Sequence, residues 1–331
     1  MRTLLRLLLT VTLAIILLIG WLYLHVHSRI TLPITPYELS VRPGSNLKQV
    51  AQQLADDGVL LTKWSLILLA RHLNQESAIK AGDYQLTENI TQIALLEYLT
   101  KGDAKQNEVR FIEGWTFAQL RKFLNEHPAI KNTTTYLSDE KLLQRIGATE
   151  TTAEGLFFPD TYYFIKGDSD IDILQRAYRA MQNHLHTSWA SRTESLPLAT
   201  PYEALILASI IEKETAIESD RTLIAGVFVN RLRKGMRLQT DPTIIYGLGE
   251  QFDGNLRKKD LLADQAYNTY TRAGLPPTPI ALPGLASIRA ALNPAETDAL
   301  YFVAKGNGES QFSTNLADHN EAVNKYQKQQ K

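Results

Sequence analysis

Glu212 and Glu214 stand directly after Ala204-Leu205-Ile206-Leu207-Ala208-Ser209-Ile210-Ile211, an uncharged run that is apolar on nearly every side of a helix. Such a helix should be buried, so two carboxylates at its end call for an explanation. At about 100° per residue they point about 200° apart and cannot both face one small site. Helical side chains lean towards the N-terminus, which lays Glu214 over Ile210 and Ile211. Desolvation raises a carboxyl pKa there, and the negative end of the helix dipole adds to it. Lys213 would oppose this if its ammonium came close. A carboxyl kept protonated near neutral pH is what a general acid needs. On chemistry alone, two solvated glutamates at a helix terminus explain the pattern equally simply.

Other side chains could assist such an acid. Gln239, Thr240 and Asp241 form a polar segment before Pro242, able to hydrogen-bond sugar hydroxyls or N-acetyl groups; alternatively Asp241 caps a helix. Tyr267, Asn268 and Tyr270 could make a stacking and hydrogen-bonding wall, since tyrosine joins a flat apolar face to a polar tip; core packing is the alternative. Glu154 and Asp160 flank an aromatic cluster from Phe157 to Phe164, either a subsite wall or core. Glu218, one turn on, could also approach. His319 reads as structural. The seven histidines show no metal-ligand spacing and there is no cysteine, so no metal, cofactor or disulfide is expected.

The elements that must position these residues are legible in outline. Thr200-Pro201-Tyr202-Glu203 is a helix start, with a threonine cap, proline at the first helical position and glutamate three residues after the cap. Thr116 caps a helix to Asn125 after a strand at Val109–Ile112, and a further helix covers Ile173 to His186. Upstream, a strand at Tyr37–Val41, a helix capped by Ser45 and running Leu47–Ala55, a helix over Lys63–Leu73 and a strand at Tyr84–Leu86 form a β-α-α-β unit, followed by a helix over Gln92–Leu99. Its order and size are similar to LysM-type glycan-binding modules; a small packing module without a ligand fits as well. Residues 29–36, with Pro33 and Pro36, read as a tether. Arg2 and Arg6 precede an uncharged stretch from Leu7 to Leu24, about 27 Å long as a helix and close to a bilayer's hydrocarbon core. A retained single-pass anchor with a cytoplasmic N-terminus follows, since the run exceeds a signal-peptide core and lacks a cleavage site. Lys+Arg and Asp+Glu both number 35, so nothing favours nucleic acid as a partner.

One ordered set of motifs narrows the function. It comprises Ala208-Ser209-Ile210-Ile211-Glu212-Lys213-Glu214-Thr215-Ala216, then Val227-Phe228-Val229-Asn230-Arg231-Leu232 and Met236-Arg237-Leu238-Gln239-Thr240-Asp241-Pro242-Thr243. Tyr246-Gly247, Ala266-Tyr267-Asn268-Thr269-Tyr270, Gly274-Leu275-Pro276-Pro277 and Phe312-Ser313-Thr314-Asn315 complete it. The set closely resembles the MltG or YceG-like family of endolytic murein transglycosylases, from about Tyr37 to Tyr326. The resemblance implies that the second glutamate of Glu-Lys-Glu-Thr, Glu214, is the catalytic acid, as in lysozyme-like lytic transglycosylases where the glutamate directly before Ser or Thr acts. It implies cleavage of the β-1,4 bond between N-acetylmuramic acid and N-acetylglucosamine inside a peptidoglycan strand, leaving 1,6-anhydro ends without a cofactor. Inner-membrane peptidoglycan synthases (penicillin-binding proteins) are the implied partners. The expected architecture is α+β: an anchor (1–28), a tether (29–36), a LysM-like subdomain (37–106) and a larger mixed catalytic domain with a lysozyme-like active-site helix (107–331). A hydrolytic muramidase and a tethered peptidoglycan-binding scaffold without turnover stay open beside it.

Overall fold

The computed structural model describes residues 12, 13, 20, 27–102, 107–165 and 167–328. The anchor expected at Leu7–Leu24 lies almost wholly outside them. Among the described residues no helix is long and apolar enough to cross a membrane. The chain divides into two compact units, residues 1–109 with 163–167, and residues 110–162 with 168–331.

In the first unit, β1 (Tyr37–Val41), α1 (Leu47–Asp56), α2 (Lys63–His72) and β2 (Gly82–Leu86) occur in the expected order, followed by α3 (Gln92–Lys101). β1 and β2 pair antiparallel, Leu39 opposite Tyr84. Alternation sends Tyr37, Leu39 and Val41 inwards, as period-two geometry requires, onto Val50, Leu54, Leu66, Leu95 and Leu99. The Tyr84 hydroxyl is satisfied by the carbonyls of Lys80 and Leu99. The cap of α1 is Asn46, one residue after the expected Ser45. Asn46 and Gln49 bond each other's backbone N–H in a reciprocal box, which serine could not improve on from a turn position. Residues 29–36 are not a free spacer. Arg29 bridges to Thr91, the Ile30 N–H donates to Ile90 O at 2.8 Å, and Ile30 and Leu32 are buried. Alternating apolar residues in a short segment favoured packing over extension into water.

The short strands β3 (Asn107–Arg110) and β4 (Thr161–Phe164) carry the points where the chain divides. β3 sits two residues earlier than the strand expected at Val109–Ile112. Gly114 at φ 77° turns the chain after it.

The second unit is mainly helical: α4 (Phe117–Glu126), α5 (Asp139–Ile146), α6 (Asp170–Ala190), α7 (Pro201–Glu214), α8 (Glu218–Arg233), α9 (Asp241–Leu248), α10 (Lys258–Leu262) and α11 (Leu285–Leu292), then the hairpin β5 (Tyr301–Ala304) and β6 (Ser310–Ser313), and α12 (Leu316–Val323). α7 is its axis, touching α6, α8, α9 and α11. Every residue from Ala204 to Ile211 is buried, so the all-round apolar pattern did specify a central helix. Ser209, its one polar member, donates to Ile206 O at 2.7 Å and accepts the Ile280 N–H at 3.0 Å. Gly226 lets α8 meet the following chain closely, since a Cβ there would lie 2.7 Å from Ala295 O. Phe157, Phe158 and Tyr162 are buried here and Phe164 is buried in the first unit, so these rings are core, while Tyr163 between them is exposed.

Candidate functional site

The start of α7 is fixed as the sequence predicts. Thr200 Oγ1 accepts the Glu203 N–H at 3.2 Å, Pro201 opens the helix, and the Glu203 carboxylate accepts the Ala199 N–H at 2.6 Å. The helix ends at Glu214, because Thr215 is extended. Lys213 turns away and donates to Gly114 O at 3.1 Å.

Glu214 is half-buried, and its Oε1 accepts a hydrogen bond from the Thr240 hydroxyl. Thr240 occupies the N-cap of α9 without capping it; its hydroxyl goes to Glu214 instead. A buried threonine network holds Thr240. Its N–H donates to Thr269 Oγ1 at 3.1 Å, its carbonyl accepts the Thr243 hydroxyl at 2.8 Å, and the Thr243 and Thr269 hydroxyls lie 2.9 Å apart. Desolvation pushes the Glu214 carboxyl up to about 7; Asp241 adds repulsion and the Thr240 hydroxyl opposes it. A carboxyl with that value can both give and take a proton near neutral pH.

Asp241 is the first residue of α9 and not its cap, and its carboxylate accepts the Tyr270 hydroxyl at 2.6 Å. Gln239 adopts φ 50°, rare without glycine. It is held from both sides: its N–H donates to Thr269 O at 3.1 Å, and its Oε1 accepts from Arg231 at 3.2 Å. Arg231, only 7% exposed, also donates to the carbonyls of Arg237, Leu238 and Leu300 and lies over the Tyr301 ring. An arginine inside Val227–Leu232 is the sequence signal for this staple.

Tyr267 and Asn268 lie elsewhere. The Tyr267 hydroxyl is 2.9 Å from Thr278 Oγ1 and its ring meets Tyr246 edge-on. It lines a separate cavity of about 350 Å³ with Glu154 and Tyr246. Asn268 is 0% exposed, its amide donating to the carbonyls of Asp260, Leu261 and Ala263 and its oxygen accepting the Tyr270 N–H. It orders the loop that carries Thr269 and Tyr270. Glu154, 7% exposed, accepts the Phe117 N–H at 2.9 Å and the Tyr246 hydroxyl at 3.1 Å.

Two open grooves meet at Glu214. The first, of about 740 Å³, is lined by Arg110, Glu113, Asp160, Glu212, Lys213 and Arg221 among others. The second, of about 570 Å³, is lined by Arg231, Gln239, Thr240, Asp241, Tyr270 and Tyr301 among others. Glu212 and Glu214 both line the first groove. Their oxygens have different partners: Glu212 accepts the Gly284 N–H at 3.0 Å, Glu214 the Thr240 hydroxyl. His319 stacks on Tyr301 beside the second groove, and Glu218 is exposed and lines neither. Among the described residues no group of His, Asp and Glu converges to hold a metal ion.

The comparisons with known proteins agree. The model of the YceG-like family matches residues 39–325. A Bacillus subtilis (strain 168) protein named endolytic murein transglycosylase is 32% identical over 309 residues, 88% of this chain and 85% of that protein. One of the same name from Streptococcus pneumoniae (serotype 2, strain D39) is 28% identical, over 86% of this chain and 57% of that protein. The crystal structure of a yceG-like protein from Listeria monocytogenes aligns with TM-score 0.54 and 29% identity, covering 86% of this chain and 98% of that one. With the family model matched over residues 39–325 and a relative above 30% identity, this chain belongs to the YceG-like family.

Proposed function

We propose that this chain is an endolytic lytic transglycosylase of peptidoglycan, with Glu214 as its one acid-base group. The carrying observation is Glu214 itself, raised to about 7 and standing where the two grooves meet. Protonated Glu214 gives its proton to the glycosidic oxygen between N-acetylmuramic acid and N-acetylglucosamine as the C1–O bond breaks. The resulting carboxylate takes the proton of the muramic C6 hydroxyl while O6 bonds to C1, closing the 1,6-anhydro ring. One carboxyl serves both steps, unlike the paired carboxylates of ordinary glycosidases. A groove on each side of the acid suits a bond inside a strand. Gln239 and Asp241, both lining the second groove, are the proposed sugar contacts, and Thr240 acts through Glu214. The curated relatives carry this activity in their names.

The proposal includes a single-pass anchor at Leu7–Leu24 that leaves the N-terminus in the cytoplasm and the chain after residue 28 on the far side of the membrane. The β-α-α-β unit (37–106) would then bind glycan in the manner of a LysM module, and residues 107–331 would cut it beside the peptidoglycan synthases. Removal of residues 1–28 should release the protein from membranes on fractionation. The decisive experiment is mass spectrometry of glycan strands digested by the parent and by Glu214→Gln. Anhydro ends, one water lighter than hydrolytic ones, should appear with the parent alone. Hydrated ends only would make the enzyme a muramidase and refute the proposal.

A further inference from the structure

Cleaving an uncharged sugar chain does not require the charge pattern of the first groove. Arg110, Lys213 and Arg221 line it together with Glu113, Asp160 and Glu212, whereas the second is lined mainly by apolar, tyrosine and uncharged polar side chains, and its one arginine, Arg231, is fully engaged. Several of these charges already have partners. Lys213 donates to Gly114 O, Glu212 accepts the Gly284 N–H, and Asp160 accepts the Thr161 N–H at 2.7 Å.

Arg221 has none. Its Nε is enclosed and finds no acceptor, and among the described residues no carboxylate comes within ion-pair distance of it. The contrast with Arg231 on the same helix is direct, since that guanidinium makes bonds to four acceptors. With that N–H enclosed and no carboxylate in ion-pair reach, the charge of the guanidinium is compensated best by an anionic group entering the groove that Arg221 lines. Glu113 is not that partner. Its carboxyl lies against Gly284, and Arg221 acts on it only through its charge.

We propose that the first groove binds the peptide branch carried by the muramic acid of the strand, with Arg221 holding one of that branch's carboxylates. A murein peptide is short and zwitterionic, with free carboxylates and, on its diamino acid, an ammonium. A mixed-sign groove matches such a ligand, because a guanidinium takes a carboxylate by charge-assisted hydrogen bonds, while Glu113 and Asp160 face the ammonium. This rests on the murein reading above and deepens it: the enzyme reads the peptide branch as well as the sugar.

The test compares intact strands with strands stripped of peptide by an amidase, using full-length parent, Arg221→Gln and Arg221→Lys. The parent should favour intact strands, and in Arg221→Gln the ratio of kcat/KM between the two strand types should fall about 10-fold, through KM rather than kcat. Arg221→Lys, which keeps the charge but loses the fork, should recover part of it. A parent that treats both strands alike, or an Arg221→Gln that keeps the parent's ratio, overturns the inference. Should the parent cut neither strand, the transglycosylase reading fails instead. Binding of both strand types to parent and Arg221→Gln, followed by calorimetry, then still decides the peptide-branch inference on affinity alone. Should Arg221→Gln prove unfolded by circular dichroism, Arg110→Gln on the exposed side of the same groove should lower the same ratio, and an unchanged ratio counts against the inference.

Discussion

Glu214 and Glu154 are the same chemical group pushed to the same place: desolvation raises each to about 7. What surrounds their oxygens differs. Glu154 receives a backbone N–H at the start of α4 on one oxygen and the Tyr246 hydroxyl on the other, deep in the second unit. Glu214 receives one hydroxyl, on Oε1, and stands at the mouth of two grooves. A raised pKa therefore does not identify a catalytic acid. What separates these two is an oxygen without a second donor facing open space, which Glu214 has and Glu154 lacks. The pair also shows two settings of a desolvated carboxyl, one tying α4 to α9 and one open to a groove.

The largest expected effect would break this comparison outright if it failed. Glu214→Gln should lower anhydro-end release by about 1,000-fold or more, while Glu154→Gln should stay within about tenfold of the parent. Equal losses in two well-folded variants would mean that the oxygens' partners do not separate the roles.

Stability against pH tests the other half. The Glu154 carboxyl ordinarily titrates near 4.5 and in the folded chain near 7, so between those values the folded state holds the proton more tightly. Its contribution is fully present below about 4.5 and is lost as pH rises through about 7, on the order of 3 kcal/mol. Urea unfolding of the parent should show this decline, and Glu154→Gln should lessen its slope, leaving the part due to Glu214. An unaltered slope in the variant would remove Glu154 as its source.

Thr240 sharpens the contrast from the side of Glu214. Because its hydroxyl favours the carboxylate, Thr240→Val should raise the Glu214 pKa further. In the parent, kcat should fall as pH rises through about 7, as a general acid loses its proton; in Thr240→Val that limb should move to higher pH, with about a 10-fold lower rate at its optimum. Thr240→Ser should restore both. An unmoved limb in the valine variant would leave Thr240 a packing residue. The smallest effect concerns the far end of α7. Thr200→Ala should cost about 1 kcal/mol in unfolding by loss of the cap, with the pH profile of kcat unchanged; a shifted profile would show that the helix start also sets the environment of Glu214.

The elements that local rules control were legible. The Thr200 cap, the Pro201 start, the burial of Ala204–Ile211 and the order β-α-α-β depend on residues near one another in the chain. The misreadings occur where contacts outside regular helices and strands decide, some within one loop and some distant in the chain. Asn268 looked like a sugar contact, yet its four bonds hold its own loop. Tyr267 followed Tyr246 and Thr278 into a separate cavity. Ile30 and Leu32 looked like part of a tether because their burial depends on chain some sixty residues on, at Ile90 and Thr91.

The sequence by itself therefore determined that a buried helix ends in Glu214 and that the motif series around it belongs to this family. Those are properties of spacing and residue type, which survive without coordinates. Only the tertiary structure decided which hydroxyl reaches Glu214, that Glu212 shares its groove, and that Arg221 is left without a partner. Each of these depends on two or more segments far apart in the chain converging, and helical phase gives a side chain's direction but not what lies opposite it.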